Sequence, residues 1–218
     1  MTKIKKSQRP ARAAEIHERL RTKYPQPRTA LNWSTPLELL VATMLSAQTT
    51  DVGVNRVTER LFKKYHTAAD YATATFSDME QDLRATGYYR QKAKNVISTG
   101  RILMERFGGQ VPDNMDALQE LPGVARKTAN VVLGNAFGQA EGIAVDRHVA
   151  RVAARLGLTD HTDPTNIERD LMKLIPQTEW TNFSHRVIFH GREICHARKP
   201  QCTQCLLNDI CPSAFTVP

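Results

Sequence analysis

Leu121-Pro122-Gly123-Val124-Ala125-Arg126-Lys127-Thr128-Ala129 is the stretch on which the fold turns. Proline and glycine force a tight turn here. The segments on either side, Met115 to Glu120 and Lys127 to Phe137, read as helices. In the second, Ala129, Val132, Leu133, Ala136 and Phe137 recur at helical spacing, and Gly138 closes it. Two helices joined so closely leave the N–H groups of the second helix's first turn pointing outward. Such donors suit a phosphate oxygen, although a Pro-Gly turn before a helix is by itself a common arrangement.

The helical period continues outward from the turn. Thr35-Pro36-Leu37-Glu38 offers an N-cap, a proline at N1 and a glutamate at N3, which together form a capping box. Leu37, Leu40, Val41, Met44 and Leu45 then recur at helical intervals, and Val54, Val57 and Leu61 mark the next helix. Ser77-Asp78-Met79-Glu80 predicts a second capping box. Ala93, Val96, Ile97, Gly100, Leu103 and Phe107 share one face of a long helix that stops at Gly108-Gly109. Beyond the turn, helices are predicted from Asp146 to Gly157, from Asp163-Pro164 through Leu174, and from Trp180 through Phe183, Val187 and Ile194. No stretch alternates with period two, so the chain reads as all-α.

With 218 residues, 41% of them hydrophobic, the chain can bury a substantial core as one large domain or two small ones. Lys and Arg number 30 against 22 Asp and Glu, a net charge of +8. That excess points to a polyanionic partner, nucleic acid first and an anionic membrane second. The absence of any apolar run of about 18 residues argues against a transmembrane helix. Met1 to Arg12 holds Lys3, Lys5, Lys6, Arg9 and Arg12 and no acidic residue. It lacks the apolar centre of a secretory signal and reads as a frayed, solvated tail.

All four cysteines fall in the pattern Cys195-x6-Cys202-x2-Cys205-x5-Cys211. Scattered cysteines would suggest the disulfides of a secreted protein, whereas this cluster suggests a metal centre in a cytosolic one. The two-residue gap turns two sulfurs to one side, and the longer arms bring the outer pair round to close a cage. Spacing alone leaves an iron–sulfur cluster and zinc both open, with disulfides a third reading.

The run His190-Gly191-Arg192, then Cys195-His196-Ala197-Arg198-Lys199-Pro200-Gln201-Cys202, is similar to the iron–sulfur loop of the endonuclease III family. Residues 121–129 resemble that family's helix-hairpin-helix motif, and Ile143-Ala144-Val145-Asp146-Arg147-His148-Val149 resembles the segment bearing its carboxylate. The resemblance implies a [4Fe-4S] cluster on Cys195, Cys202, Cys205 and Cys211. It also implies a helix-hairpin-helix glycosylase fold, two helical lobes with a DNA-binding cleft between them. One lobe would be a bundle over residues 33–142, and the other a cluster domain joining 1–32 to 143–218. The expected partner is double-stranded DNA with a damaged base or abasic site, bound by a cytoplasmic monomer without membrane contact, nucleoid-associated in a bacterium.

The implied activity is that of a bifunctional DNA glycosylase and AP lyase acting on oxidised pyrimidines. Lys127 would be the nucleophile, since bifunctional members have lysine at this position. Lysine attacks only when neutral, and a helix N-terminus beside Arg126 disfavours the ammonium. Asp146 reads as an N-cap and, by resemblance, as the carboxylate that stabilises positive charge at C1′. Leu121, Gly123 and Ala125 would meet DNA through the hairpin. Ala125 stands where the family has a second glycine, and a positive φ there would cost alanine about 1 kcal/mol. Gln48 would fill the gap left by a displaced base, and Tyr88 would stack on exposed bases or else pack in the core. His148 would line the pocket, while Arg198 and Lys199 would contact phosphate. Three rival functions share parts of this pattern. A monofunctional adenine mismatch glycosylase has the hairpin and cluster but lacks the lysine and carries a further C-terminal domain. A non-catalytic helix-hairpin-helix protein would need neither Lys127 nor Asp146, and a zinc-stabilised regulatory protein would be colourless.

Overall fold

A computed structural model describes residues 4–217. Among them are eleven α-helices, three 3-10 turns and no strand, so the fold is all-α as the periodicity predicts. In chain order the helices are α1 (Arg9–Lys23), α2 (Pro36–Leu45), α3 (Asp51–Lys64), α4 (Ala68–Thr73), α5 (Phe76–Leu83) and α6 (Tyr89–Arg106). There follow α7 (Met115–Gln119), α8 (Arg126–Ala136), α9 (Arg147–Arg155), α10 (Pro164–Leu174) and α11 (Trp180–Glu193). No helix among the described residues is long and apolar enough to cross a membrane. The chain divides into two compact units, Thr29–Glu141 and the residues flanking it on both sides, up to Arg28 and from Gly142.

In the Thr29–Glu141 unit the long helix α6 packs on α4 and α5, and α2 packs on α8, α3 and α6. Leu39, Leu40, Leu45, Val96, Leu103 and Leu133 are among the side chains that meet in its core. Gly100 explains the close approach of α6 to α4. A Cβ there would lie 2.7 Å from the Ala72 nitrogen and 2.9 Å from the Ala68 carbonyl, so any larger residue would push α4 away. Side chains of Thr35, Thr50, Thr67, Thr75 and Asn114 cap α2, α3, α4, α5 and α7, each cap contributing about 1 kcal/mol.

Two predicted capping boxes are corrected. At α2, Thr35 accepts from the Glu38 N–H as expected, but the Glu38 carboxylate turns to the Ser34 N–H instead of that of Thr35. At α5 the cap is Thr75, and Ser77 lies inside the helix. Met79 and Leu83, four apart on one face of α5, are buried.

In the second unit α11 packs on α9 and α1, and α10 packs on α1 and α9. Ile16, Leu20, Val149, Val152, Phe183 and Val187 are part of its core. The chain's two ends are tied together by Arg19, which grips the Asp209 carboxylate with two hydrogen bonds at 2.7 and 3.0 Å. The expected solvated N-terminal tail is also corrected, because α1 begins at Arg9. Arg9 is buried and pairs with Asp160 at 2.6 Å, and Arg12 donates to the Ile210 carbonyl. Of the tail's other basic residues, Lys5 and Lys6 are exposed, and Lys3 lies outside the described residues.

Candidate functional site

The hairpin between α7 and α8 divides its residues by side. Leu121 and Val124 face the core, and the Val124 N–H closes the turn on the Leu121 carbonyl at 3.0 Å. The Leu121 side chain is therefore a core residue, which leaves only its backbone for an outside ligand. Gly123, Ala125 and Lys127 are exposed. Gly123 takes φ +80° over Asn95, where a Cβ would lie 2.5 Å from Asn95 Nδ2, so the turn requires glycine. Ala125, by contrast, is extended (φ −89°, ψ 169°). The conformational cost considered for alanine there does not arise. As N-cap of α8 it offers no side-chain acceptor, and no acidic residue follows in the first turn. The N–H groups of this first turn thus meet no side-chain cap and suit an external anion, with Lys127 in that turn.

A second exposed edge of the same unit carries Gln48 and Tyr88. Gln48 lies in the loop between α2 and α3, and Tyr88 immediately precedes α6. Both are non-glycine residues in the left-handed region, φ 53° and 57°. A Cβ on Gly87 would lie 3.5 Å from the Gln48 carbonyl, so the two loops adjoin. Tyr88 is 68% exposed, which rules out the core-packed reading of its ring.

In the other unit Asp146 is the N-cap of α9. Its Oδ1 accepts the N–H groups of His148 and Val149 at 2.7 and 2.8 Å. Burial pushes the His148 pKa below its usual value, against the opposing pull of the Asp146 carboxylate and alongside the neighbouring arginines, Arg151 first. His148 Nδ1 lies 3.2 Å from Arg151 Nη2; a guanidinium can only donate, so Nδ1 accepts.

All four cysteines are free and line one cavity of about 400 Å³, counting the open solvent at its mouth. Donors already point at the sulfurs. Arg155 Nη1 lies 3.3 Å from Cys195 Sγ, the Leu207 N–H nitrogen 3.4 Å from Cys205 Sγ, and that of Phe215 3.5 Å from Cys202 Sγ. Thiolates that accept such bonds around a shared space suit a cluster of iron and sulfide. Two arginines that the sequence reading passed over hold the loop between the first two cysteines. Arg151 donates to the Cys195 carbonyl, and Arg155 to those of His196 and Ala197. Their spacing along α9, four apart and on one face, was the available signal. With the carbonyls pinned inside, Arg198 and Lys199 remain exposed at the loop's tip.

A family-wide sequence model described as "HhH-GPD superfamily base excision DNA repair protein" matches residues 41–177. A second, described as "Iron-sulfur binding domain of endonuclease III", matches residues 195–211, from the first cysteine to the last. The chain belongs to the endonuclease III family. It is 53% identical over 203 residues to the endonuclease III of Synechocystis, covering 93% of each chain. To that of Escherichia coli it is 43% identical over 201 residues, 92% of this chain and 95% of the relative. A solved non-covalent endonuclease III–DNA complex matches with TM-score 0.91, covering 95% of this chain and 97% of that one. A trapped covalent endonuclease III–DNA intermediate matches with TM-score 0.89, covering 94% and 97%. The family's cofactor is a [4Fe-4S] cluster, which the four free thiols and their N–H donors fit. The fold and the cofactor that the family resemblance implied are thereby borne out.

Proposed function

We propose that this chain removes oxidised pyrimidines from duplex DNA and then cuts the strand at the resulting abasic site. It would act as a monomeric cytoplasmic glycosylase and AP lyase, nucleoid-associated in a bacterium. The observation that carries the reading is Lys127, an exposed amine in the first turn of a helix whose N-terminus has no side-chain cap. The backbone N–H groups around Gly123 and Ala125 hold phosphate, which brings the sugar to the amine. Arg198 and Lys199 hold phosphate elsewhere on the strand.

The damaged nucleotide leaves the stack, Gln48 fills the vacancy, Tyr88 stacks beside it, and His148 lines the pocket. The neutral amine of Lys127 attacks C1′, and the bond to the base breaks, its electron pair leaving with the base. Asp146 stabilises the positive charge that develops at C1′. The ring-opened adduct is a Schiff base; loss of a C2′ proton then expels the 3′ phosphate by β-elimination. Cys195, Cys202, Cys205 and Cys211 hold the cluster, whose part is to fix the loop bearing Arg198 and Lys199.

Borohydride reduction of the Schiff base tests the assignment. A covalent protein–DNA adduct is expected on duplexes with an oxidised pyrimidine or an abasic site. Lys127→Ala should abolish it while DNA affinity stays within about threefold. Undiminished trapping in that variant overturns the role of Lys127.

A further inference from the structure

Lys92 is a buried cation that the proposed chemistry does not use. It sits in the first turn of α6, where the helix dipole disfavours positive charge. Burial alone lowers its pKa to about 8. Its Nζ donates to the Leu45 carbonyl at 2.8 Å and to Thr49 Oγ1 at 2.9 Å. Both acceptors are neutral, and a buried ammonium is costly when its partners carry no charge. A methionine of similar length would fill the space more cheaply, so the reason for a lysine lies in what it holds.

What it holds is a single loop. Leu45 ends α2, and its carbonyl is one of those a helix C-terminus leaves without an intrahelical partner. Thr49 stands four residues on, and between them Gln48 is exposed in the left-handed region. Such a conformation persists only where its surroundings enforce it. Along its own helix, the Lys92 N–H makes the first i→i−4 bond of α6, to the carbonyl of the N-cap Tyr88 at 3.1 Å, so the lysine stands one turn from Tyr88. The Lys92 side chain therefore ties the Gln48 loop to the helix that Tyr88 opens.

We propose that Lys92 is a positioning residue that fixes the spacing of Gln48 and Tyr88, so that both engage the duplex together at a displaced base. The side chain clamps the Gln48 loop to the start of α6, the turn that follows Tyr88. This rests on the reading of Gln48 and Tyr88 given above, and the test separates the two.

The cluster-bearing full chain is compared with its Lys92→Met, Thr49→Val and Gln48→Ala variants. Readouts are affinity for a duplex with a tetrahydrofuran abasic analogue, affinity for undamaged duplex, and single-turnover cleavage of abasic DNA at saturating enzyme. A fourth is the fluorescence of 2-aminopurine opposite the abasic site, which reports whether the vacancy is filled. Lys92→Met is expected to weaken analogue binding about tenfold, with undamaged binding within about twofold and the saturated rate falling far less than the affinity. Its 2-aminopurine signal should match that of Gln48→Ala. Thr49→Val, which removes one acceptor and leaves the lysine, should move both in the same direction by about two- to threefold.

If Gln48→Ala impairs both readouts and Lys92→Met neither, the clamp is wrong and the reading of Gln48 stands. If Gln48→Ala is neutral, the two fall together. Should Lys92→Met lose its fold, Thr49→Val decides alone, and an unchanged 2-aminopurine signal overturns the proposal.

Discussion

The carboxylate of Asp146 is bound to two backbone N–H groups at the start of α9, at 2.7 and 2.8 Å. Capping needs an acceptor oxygen, whereas stabilising a cation at C1′ needs the negative charge. Asparagine keeps the first and removes the second. Asp146→Asn is expected to unfold in urea within about 0.5 kcal/mol of the parent, while Asp146→Ala loses about 1 kcal/mol. Single-turnover base release should fall by at least about a hundredfold in both. A parental rate in Asp146→Asn would reduce the residue to a cap. The cap was legible in the sequence because its partners lie two and three residues away. Lys92 was not legible: a lysine on a mostly polar helix reads as exposed, and only packing against the end of α2 buries it. Arg9 escaped for the same reason, since its partner Asp160 lies far along the chain.

Between α7 and α8, two small residues have opposite requirements. Gly123 is held at φ +80° against Asn95, and Ala125 is extended. Gly123→Ala adds a left-handed alanine and a contact that Asn95 must yield to, and is expected to destabilise by about 1–2 kcal/mol. In Ala125→Gly a slightly better N-cap offsets a more flexible unfolded chain, and the change should stay within about 0.5 kcal/mol. Urea melts measure the first effect, and duplex affinity checks the second. A tenfold gain in affinity for Ala125→Gly would show that alanine limits phosphate approach after all. The sequence placed the turn correctly because Pro-Gly is a local signal, but it could not say which of the two positions needs glycine. The same limit applied at α5, where Thr75-x-x-Asp78 and Ser77-x-x-Glu80 fit one capping pattern. The structure chooses the first, Thr75 Oγ1 accepting the Asp78 N–H at 3.1 Å with Ser77 inside the helix.

Across the whole molecule the histidines are unevenly shared. Six of the seven lie in the unit formed by the two chain ends, and the Thr29–Glu141 unit has His66 alone, on its surface. Burial, reinforced by Arg192, lowers the His185 pKa to about 4 against the pull of Asp146; burial also lowers those of His17 and His148. Each is neutral in the folded state where the unfolded chain, near 6.5, already takes a proton. The unfolded state therefore binds more protons below pH 6.5, and stability that is complete above that value is lost as pH falls toward 4. The loss should concentrate in one unit, and the two tryptophans report it separately. Trp180 packs against the core of the histidine-rich unit, and Trp33 against the other. With Trp33→Phe, the urea midpoint followed through Trp180 is expected to drop steadily between about pH 6.5 and 4.5. With Trp180→Phe, the Trp33 midpoint should move less over the same range. His185→Gln removes one titrating group and should make the Trp180 profile shallower. Equal pH slopes from the two reporters would mean that buried histidines do not set the acid limit of this fold.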